Sequence, residues 1–227
     1  MFLARRGSIG DDRYMAPRYF ALGDSMSIDD YAGGPGLGAA SLLADDLGIE
    51  LALLARDGAT SDDVLRRQVG QVGDRPALIT LTMGGNDLLT AMVENPDKVS
   101  GAVETVAANY DATLASLAAT GARIVVSTVY DPTDGTGDLS WAGLPDVADG
   151  PVVLAALNDA IRAAAARHGA AVADLHAAFL GHGAQAGDIT GSDSHPANPE
   201  LWLCGHIEPN AWGAQAIRDT WRAALRR

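Results

Sequence analysis

Ser25 is the first residue in this chain whose type and setting could do covalent chemistry. It closes Phe20-Ala21-Leu22-Gly23-Asp24-Ser25, an apolar run that stops at a glycine and an acid. A serine just past a strand end, behind a glycine that permits a sharp turn, presents its hydroxyl at the rim of a sheet. Taken alone, the same residues make an ordinary strand-to-loop turn. Two further clusters bear on the choice: Arg56-Asp57-Gly58-Ala59-Thr60 and Gly84-Gly85-Asn86-Asp87, each behind another apolar run. Attack of a hydroxyl on an ester passes through a tetrahedral intermediate whose oxyanion needs donors already in place. The backbone N–H of Ser25, the backbone N–H of Gly58 and the side-chain amide of Asn86 could supply three. In isolation Gly58 would serve as a turn residue and Asn86 as a helix N-cap.

Such clusters need strand ends to hold them together, and the hydrophobic pattern provides them. Strands are expected at 18–22, 50–55, 77–83, 123–129 and 170–174, with helices over 39–47, 62–72, 99–120, 152–168 and 211–225. Gly48, Gly121 and Gly169 stand where helices would end, and Thr60 or Ser61 where one would begin. Strict alternation of strand and helix implies a parallel sheet covered on both faces. The expected fold class is therefore α/β, a three-layer α/β/α sandwich on a five-stranded parallel sheet of flavodoxin-like type. In open sheets of this kind, ligands bind outside the carboxyl ends of the strands. Residues 18–227 are expected to form one domain, with 1–17 a flexible extension. Loops 130–150 and 181–209 exceed ordinary connections and are candidates for a lid or substrate wall.

Composition excludes several classes of function. With 48% hydrophobic and 20% charged residues among 227, the chain is neither disordered nor a membrane span. A formal net charge of −13 repels nucleic acid and anionic membrane surfaces. The single cysteine, Cys204, fits a small packed residue in a reducing compartment, and residues 1–17 lack the apolar stretch of a secretory signal. A cytoplasmic location is the expectation. Gly36-Leu37-Gly38 follows a loop and not a strand, so it is not read as a dinucleotide site. The histidines near Asp188 and Asp193 lack a tight i, i+4 pair, so no metal and no cofactor are expected.

The three clusters, in this order and spacing, resemble the SGNH hydrolases, the GDSL-type esterases and lipases. Gly23-Asp24-Ser25 matches the family's nucleophile block, Gly58 its second-block glycine and Gly84-Gly85-Asn86-Asp87 its third block. The resemblance runs from about Arg18 to the terminal helix. It implies Ser25 as nucleophile and Ser25, Gly58 and Asn86 as the oxyanion hole. It also implies strand order second, first, third, fourth, fifth, and a small ester as substrate, of short-chain acyl or acetyl type. A ligand-binding protein on the same fold and an acyltransferase are the alternatives.

The fourth block departs from the pattern. The family has Asp-x-x-His-Pro-Asn before its last helix; here the chain reads Gly205-His206-Ile207-Glu208-Pro209-Asn210. Glu208 falls at the family's base and Gly205 at its acid. Three residues could take the serine's proton. His206 and Glu208 lie two apart, and in an extended segment such side chains face the same way, as base and orienting acid. Glu208 could act directly. His195, behind Asp193 and before Pro196, echoes the family block without a helix to follow. His182 in Gly181-His182-Gly183 reads as a packed loop residue. The His206–Glu208 pair is the favoured expectation, because imidazole suits neutral pH.

Overall fold

The β-prone runs pair into one parallel sheet because each is apolar on both faces and must be covered on both. The computed structural model describes residues 18–94, 98–143 and 149–227; the expected extension at 1–17, the turn at Pro96 and part of the 130–150 loop lie outside them. Five strands, β1 (Arg18–Leu22), β2 (Glu50–Leu53), β3 (Pro76–Leu81), β4 (Arg123–Ser127) and β5 (Ala171–Ala173), run in the order β2-β1-β3-β4-β5. All neighbours are parallel, and the strand leading to Ser25 is flanked on both sides, as expected. β2, β3 and β4 each end two residues short of the expected strand, because the last residues bend away into the loops, while β1 runs to Leu22 as expected.

Helices α1 (Ala39–Leu47) and α7 (Ala211–Ala224) pack together on one face, and α4 (Val99–Ala118) and α5 (Gly150–His168) on the other. Gly48 and Gly169 cap α1 and α5 in the left-handed conformation, as their positions suggested. The core runs through the sheet: Tyr19, Ala21, Leu22, Ile79, Leu81, Val125 and Val126 are fully buried. Its large polar tips are satisfied. Tyr19 Oη meets Thr80 Oγ1 at 2.6 Å, and Trp221 Nε1 donates to Ser127 Oγ at 2.8 Å.

Two departures from the expected elements matter for the site. The helix expected at 62–72 breaks into α2 (Ser61–Asp63), a π-helical turn Val64–Gln68 and a 3-10 turn Val69–Gln71. Thr60 caps it through a reciprocal capping box with Asp63. The π-turn widens the helix just where the buried Gln68 leaves it to bind the backbone of Gly23. The second departure lies in the 181–209 loop, which contains a hairpin of β6 (Leu203–Cys204) and β7 (Glu208–Pro209). Helices α3 (Gly85–Glu94) and α6 (Leu175–Phe179) complete the elements that bear on the site.

Asn210 sets the hairpin and α7 in place together. It is fully buried; its Oδ1 accepts from Trp212 N at 2.9 Å and Gly213 N at 3.1 Å, capping α7. Its Nδ2 donates to Leu201 O at 2.7 Å and Leu203 O at 3.1 Å. Asn210→Ala leaves all four groups without this partner and is expected to cost about 2 kcal/mol or more. A thermal melt should show a midpoint lower by roughly 4–8 °C, given the size of the chain.

Candidate active site

Gly23 turns the chain out of the sheet with φ 129°, and a Cβ there would lie 1.9 Å from Thr82 O. Only glycine fits. The chain then enters a 3-10 turn, Ser25–Ser27, whose N-cap is Asp24, its carboxylate accepting from Met26 N at 3.2 Å. Ser25 is thus the first residue of a helical turn, and its N–H has no acceptor among the described residues. Asp24 is 2% exposed, and burial pushes its pKa up to about 6 against the hydrogen bonds that hold it. It braces the turn; the hydroxyl next to it does the facing outward.

The turn after β2 carries Gly58 at φ 68°, closed by Ala59 N donating to Arg56 O at 3.2 Å. Arg56 N in turn donates to Gly23 O at 3.0 Å, which ties this turn to that of Ser25. The Gly58 N–H has no acceptor among the described residues. Asn86 sits in the first turn of α3, and its Nδ2 donates to Ala59 O at 3.1 Å, leaving its second N–H free. Beside it, Asp87 takes Ser61 N at 2.8 Å and Ser61 Oγ at 2.6 Å, locking α3 to α2. Each expected oxyanion donor is therefore held by the backbone of a neighbouring block and has a proton to spare.

Ser25 and Asn86 line one cavity of about 120 Å³; Gly58 is exposed and is not among its lining residues. The rest of the wall is largely apolar: Leu88, Leu89 and Met92 from α3, Val129 and Leu139 after β4, and Leu154 from α5. Asp24, Asp131 and Thr133 add polar atoms, and the 130–150 loop thus supplies a wall, as expected. Ile207, at the hairpin tip, closes one side; its carbonyl accepts from Tyr130 Oη at 2.6 Å. Burial holds the Tyr130 phenol well above its ordinary range, so it remains a neutral donor.

The hairpin packs on the Ser25 turn and brings Glu208 to the serine. The Ser25 hydroxyl lies near enough to favour the ionised carboxyl of Glu208. Burial nonetheless wins, helped by Asp57 and Asp24, and pushes the Glu208 pKa up to about 7. The contact falls short of a regular hydrogen bond, and Glu208 Oε2 is buried without a partner. Catalytic hydrogen bonds often tighten only when substrate arrives.

The expected His206–Glu208 pair does not form. His206 sits in the hairpin tip with φ 83°, so the alternation of an extended segment is broken between it and Glu208. Its backbone N donates to Ile189 O at 2.7 Å, and its exposed ring stacks on Trp141 at 5.7 Å between centroids. No hydrogen bond or ion pair joins it to Ser25 or Glu208 among the described residues. His195 is exposed, its ring edge-on to Trp212 at 6.0 Å. His182 stacks on Trp202 at 3.6 Å between centroids, as a packed loop residue. Among the described residues no three His, Cys, Asp or Glu side chains converge as a metal set. Cys204 is buried under the Tyr31 carbonyl, and burial raises its thiol to about 11.

The model of the GDSL-like Lipase/Acylhydrolase family matches residues 21–216. A phospholipase A1 from Streptomyces albidoflavus superposes with TM-score 0.64 at 22% identity, over 92% of this chain and 99% of that one. A psychrotrophic esterase from Pseudoalteromonas sp. gives 0.61 at 19% identity, over 92% and 96%. The acetyl xylan esterase AlAXEase gives 0.66 at 17% identity, over 92% and 99%. Identities this low speak to the shared fold. No curated protein is significantly similar in sequence.

Proposed function

Because the chain belongs to the GDSL-like lipase/acylhydrolase family, we propose that it is a serine esterase working through a Ser25–Glu208 pair. The observation that carries this reading is the hairpin packed on the Ser25 turn, which holds half-buried Glu208 there with its Oε2 buried, so that burial pushes its pKa up to about 7. A carboxylate at its ordinary ~4.3 is a poor base for a serine; one near 7 is matched to work at neutral pH. In the acylation step Ser25 Oγ attacks the acyl carbonyl while Glu208 takes the hydroxyl proton. The oxyanion is received by Ser25 N–H, Gly58 N–H and Asn86 Nδ2. Collapse expels the alkoxide, which receives the proton from Glu208, and leaves an acyl-Ser25 ester. Water then attacks that ester, Glu208 takes its proton, and collapse returns the proton to Ser25 Oγ.

The largely apolar wall of Leu88, Leu89, Met92, Leu139 and Leu154 supports an uncharged acyl chain of a few carbons over an acetyl group. Fluorophosphonate labelling tests the reading, because the reagent needs an activated serine. Mass spectrometry should find one adduct, on the peptide carrying Ser25, formed faster above about pH 7 than below it. No adduct at any pH would reject the esterase and leave a binding protein on this fold.

A further inference from the structure

Gln68 grips both peptide groups of Gly23, the residue from which two of the oxyanion donors are hung, and we infer that it is a positioning residue of the oxyanion hole. The inference rests on the Ser25 esterase reading above. Gln68 is 3% exposed, in the stretch expected to be one regular helix. Its Oε1 accepts from Gly23 N at 2.7 Å and its Nε2 donates to Gly23 O at 2.9 Å. Both polar ends of one amide are spent on one residue. That is the grip a neighbouring strand gives a ladder residue, and here no strand can give it. On the β2 side the ladder of β1 ends with Ala21 opposite Leu53, and Leu54 N and Ala55 N both turn back to Ala21 O. Gly23 lies two residues further on. Gln68 stands in for the missing strand.

What makes Gly23 worth gripping is its carbonyl, which also accepts from Arg56 N at 3.0 Å. Ser25 N–H lies two residues after Gly23, and Gly58 N–H two residues after Arg56. One peptide group is therefore the common root of both backbone donors, and a rotation of it moves them together. Its other side is fixed by Thr82, whose Oγ1 accepts from Asp24 N at 3.2 Å and whose carbonyl excludes any side chain at 23. Without Gln68 the Gly23–Asp24 peptide keeps Thr82 Oγ1 and Arg56 N but loses Nε2, and the Leu22–Gly23 peptide loses the acceptor of its N–H. Misplacement on the 1 Å scale at a reacting centre costs up to ~10²-fold in rate. Glu208 is positioned independently, by the hairpin and Asn210, so Gln68 acts on the oxyanion and not on the base.

Two substitutions test this. Gln68→Met keeps the volume and removes both hydrogen bonds; kcat for p-nitrophenyl butyrate should fall about 10- to 100-fold with KM nearly unchanged. The rate of fluorophosphonate inactivation should fall with it. In Gln68→Glu the protonated carboxyl offers the same acceptor and donor as the amide, and the ionised one does not. Its kcat relative to the parent should therefore drop as pH rises, while the Gln68→Met ratio stays flat with pH. Melts of each protein, run alongside, ensure that rates refer to folded enzyme, and if Gln68→Met does not fold the Gln68→Glu ratio carries the test. A lowered melting temperature with parental kcat, or a Gln68→Glu ratio that is flat with pH, would overturn the inference. A parent chain that neither hydrolyses the ester nor labels at Ser25 removes the esterase reading itself, and the inference with it.

Discussion

Glu208→Gln is expected to lower kcat by about 10²–10⁴-fold at neutral pH, the range for loss of a general base. The amide keeps the shape and can still touch Ser25, but it cannot accept the proton. His206→Ala should leave kcat within a few-fold, since that ring stacks on Trp141 away from the serine. In the parent enzyme activity should rise with pH through about 7, because Glu208 must be ionised to act. The position of that limb does not identify the base, because burial has moved a carboxyl into the range of imidazole near ~6.5. Its temperature dependence does. Carboxyl ionisation carries little enthalpy, so a Glu208 limb stays in place on warming, whereas an imidazole limb moves acidward. A limb that moves, or a Glu208→Gln enzyme with parental kcat, would return the role to a histidine.

The same substitution is expected to stabilise the protein. The Glu208 pKa rises from 4.5 unfolded to about 7 folded, so between those values the folded chain keeps a proton the unfolded chain has lost. Stability contributed by this group therefore falls as pH rises through that window, and above it the cost of a buried charge is fully present. Glu208→Gln should melt several degrees above the parent at about pH 8, with the gap closing toward about pH 5. Lost activity with gained stability marks a residue kept for chemistry.

The sheet was legible in the sequence because its signal is local and strong. Runs such as Ile124-Val125-Val126 read as buried strands, and Gly23 and Gly84 mark where the chain leaves the sheet after β1 and β3. The blocks holding Ser25 and Asn86 were legible for the same reason, each following such a run. The hairpin was not. Its strands, Leu203–Cys204 and Glu208–Pro209, are two residues each, too short for any period to show. The pairing of His206 with Glu208 failed on one dihedral angle, a positive φ at a non-glycine residue, which no composition announces. Gln68 did leave a trace: a long polar side chain on the buried side of an otherwise amphipathic stretch needs a partner inside. The Glu208 pKa left none. It depends on burial by a hairpin and on Asp57 and Asp24, which come from distant parts of the chain.

Asn86→Ala is the second large effect, expected to cut kcat by about 10²–10³-fold with little change in KM. Its Nδ2 has one proton on Ala59 O at 3.1 Å and the other free toward the cavity it shares with Ser25. A neutral amide gains little from a ground-state ester and much from an oxyanion, so the loss should fall on turnover. Removing it also frees the Ala59 carbonyl, next to Gly58, so part of the effect travels through the second donor. Asn86→Asp separates chemistry from structure. A carboxylate in the first turn of α3 suits the helix dipole, which offsets part of the lost bond to Ala59 O, so the melting temperature should fall by only a few degrees. Facing the oxyanion, that same carboxylate repels the charge it replaces a donor for, and the aspartate enzyme should be slower than the alanine enzyme. Steady-state kinetics beside a thermal melt decides the matter: an aspartate variant as active as the parent would remove Asn86 from the mechanism.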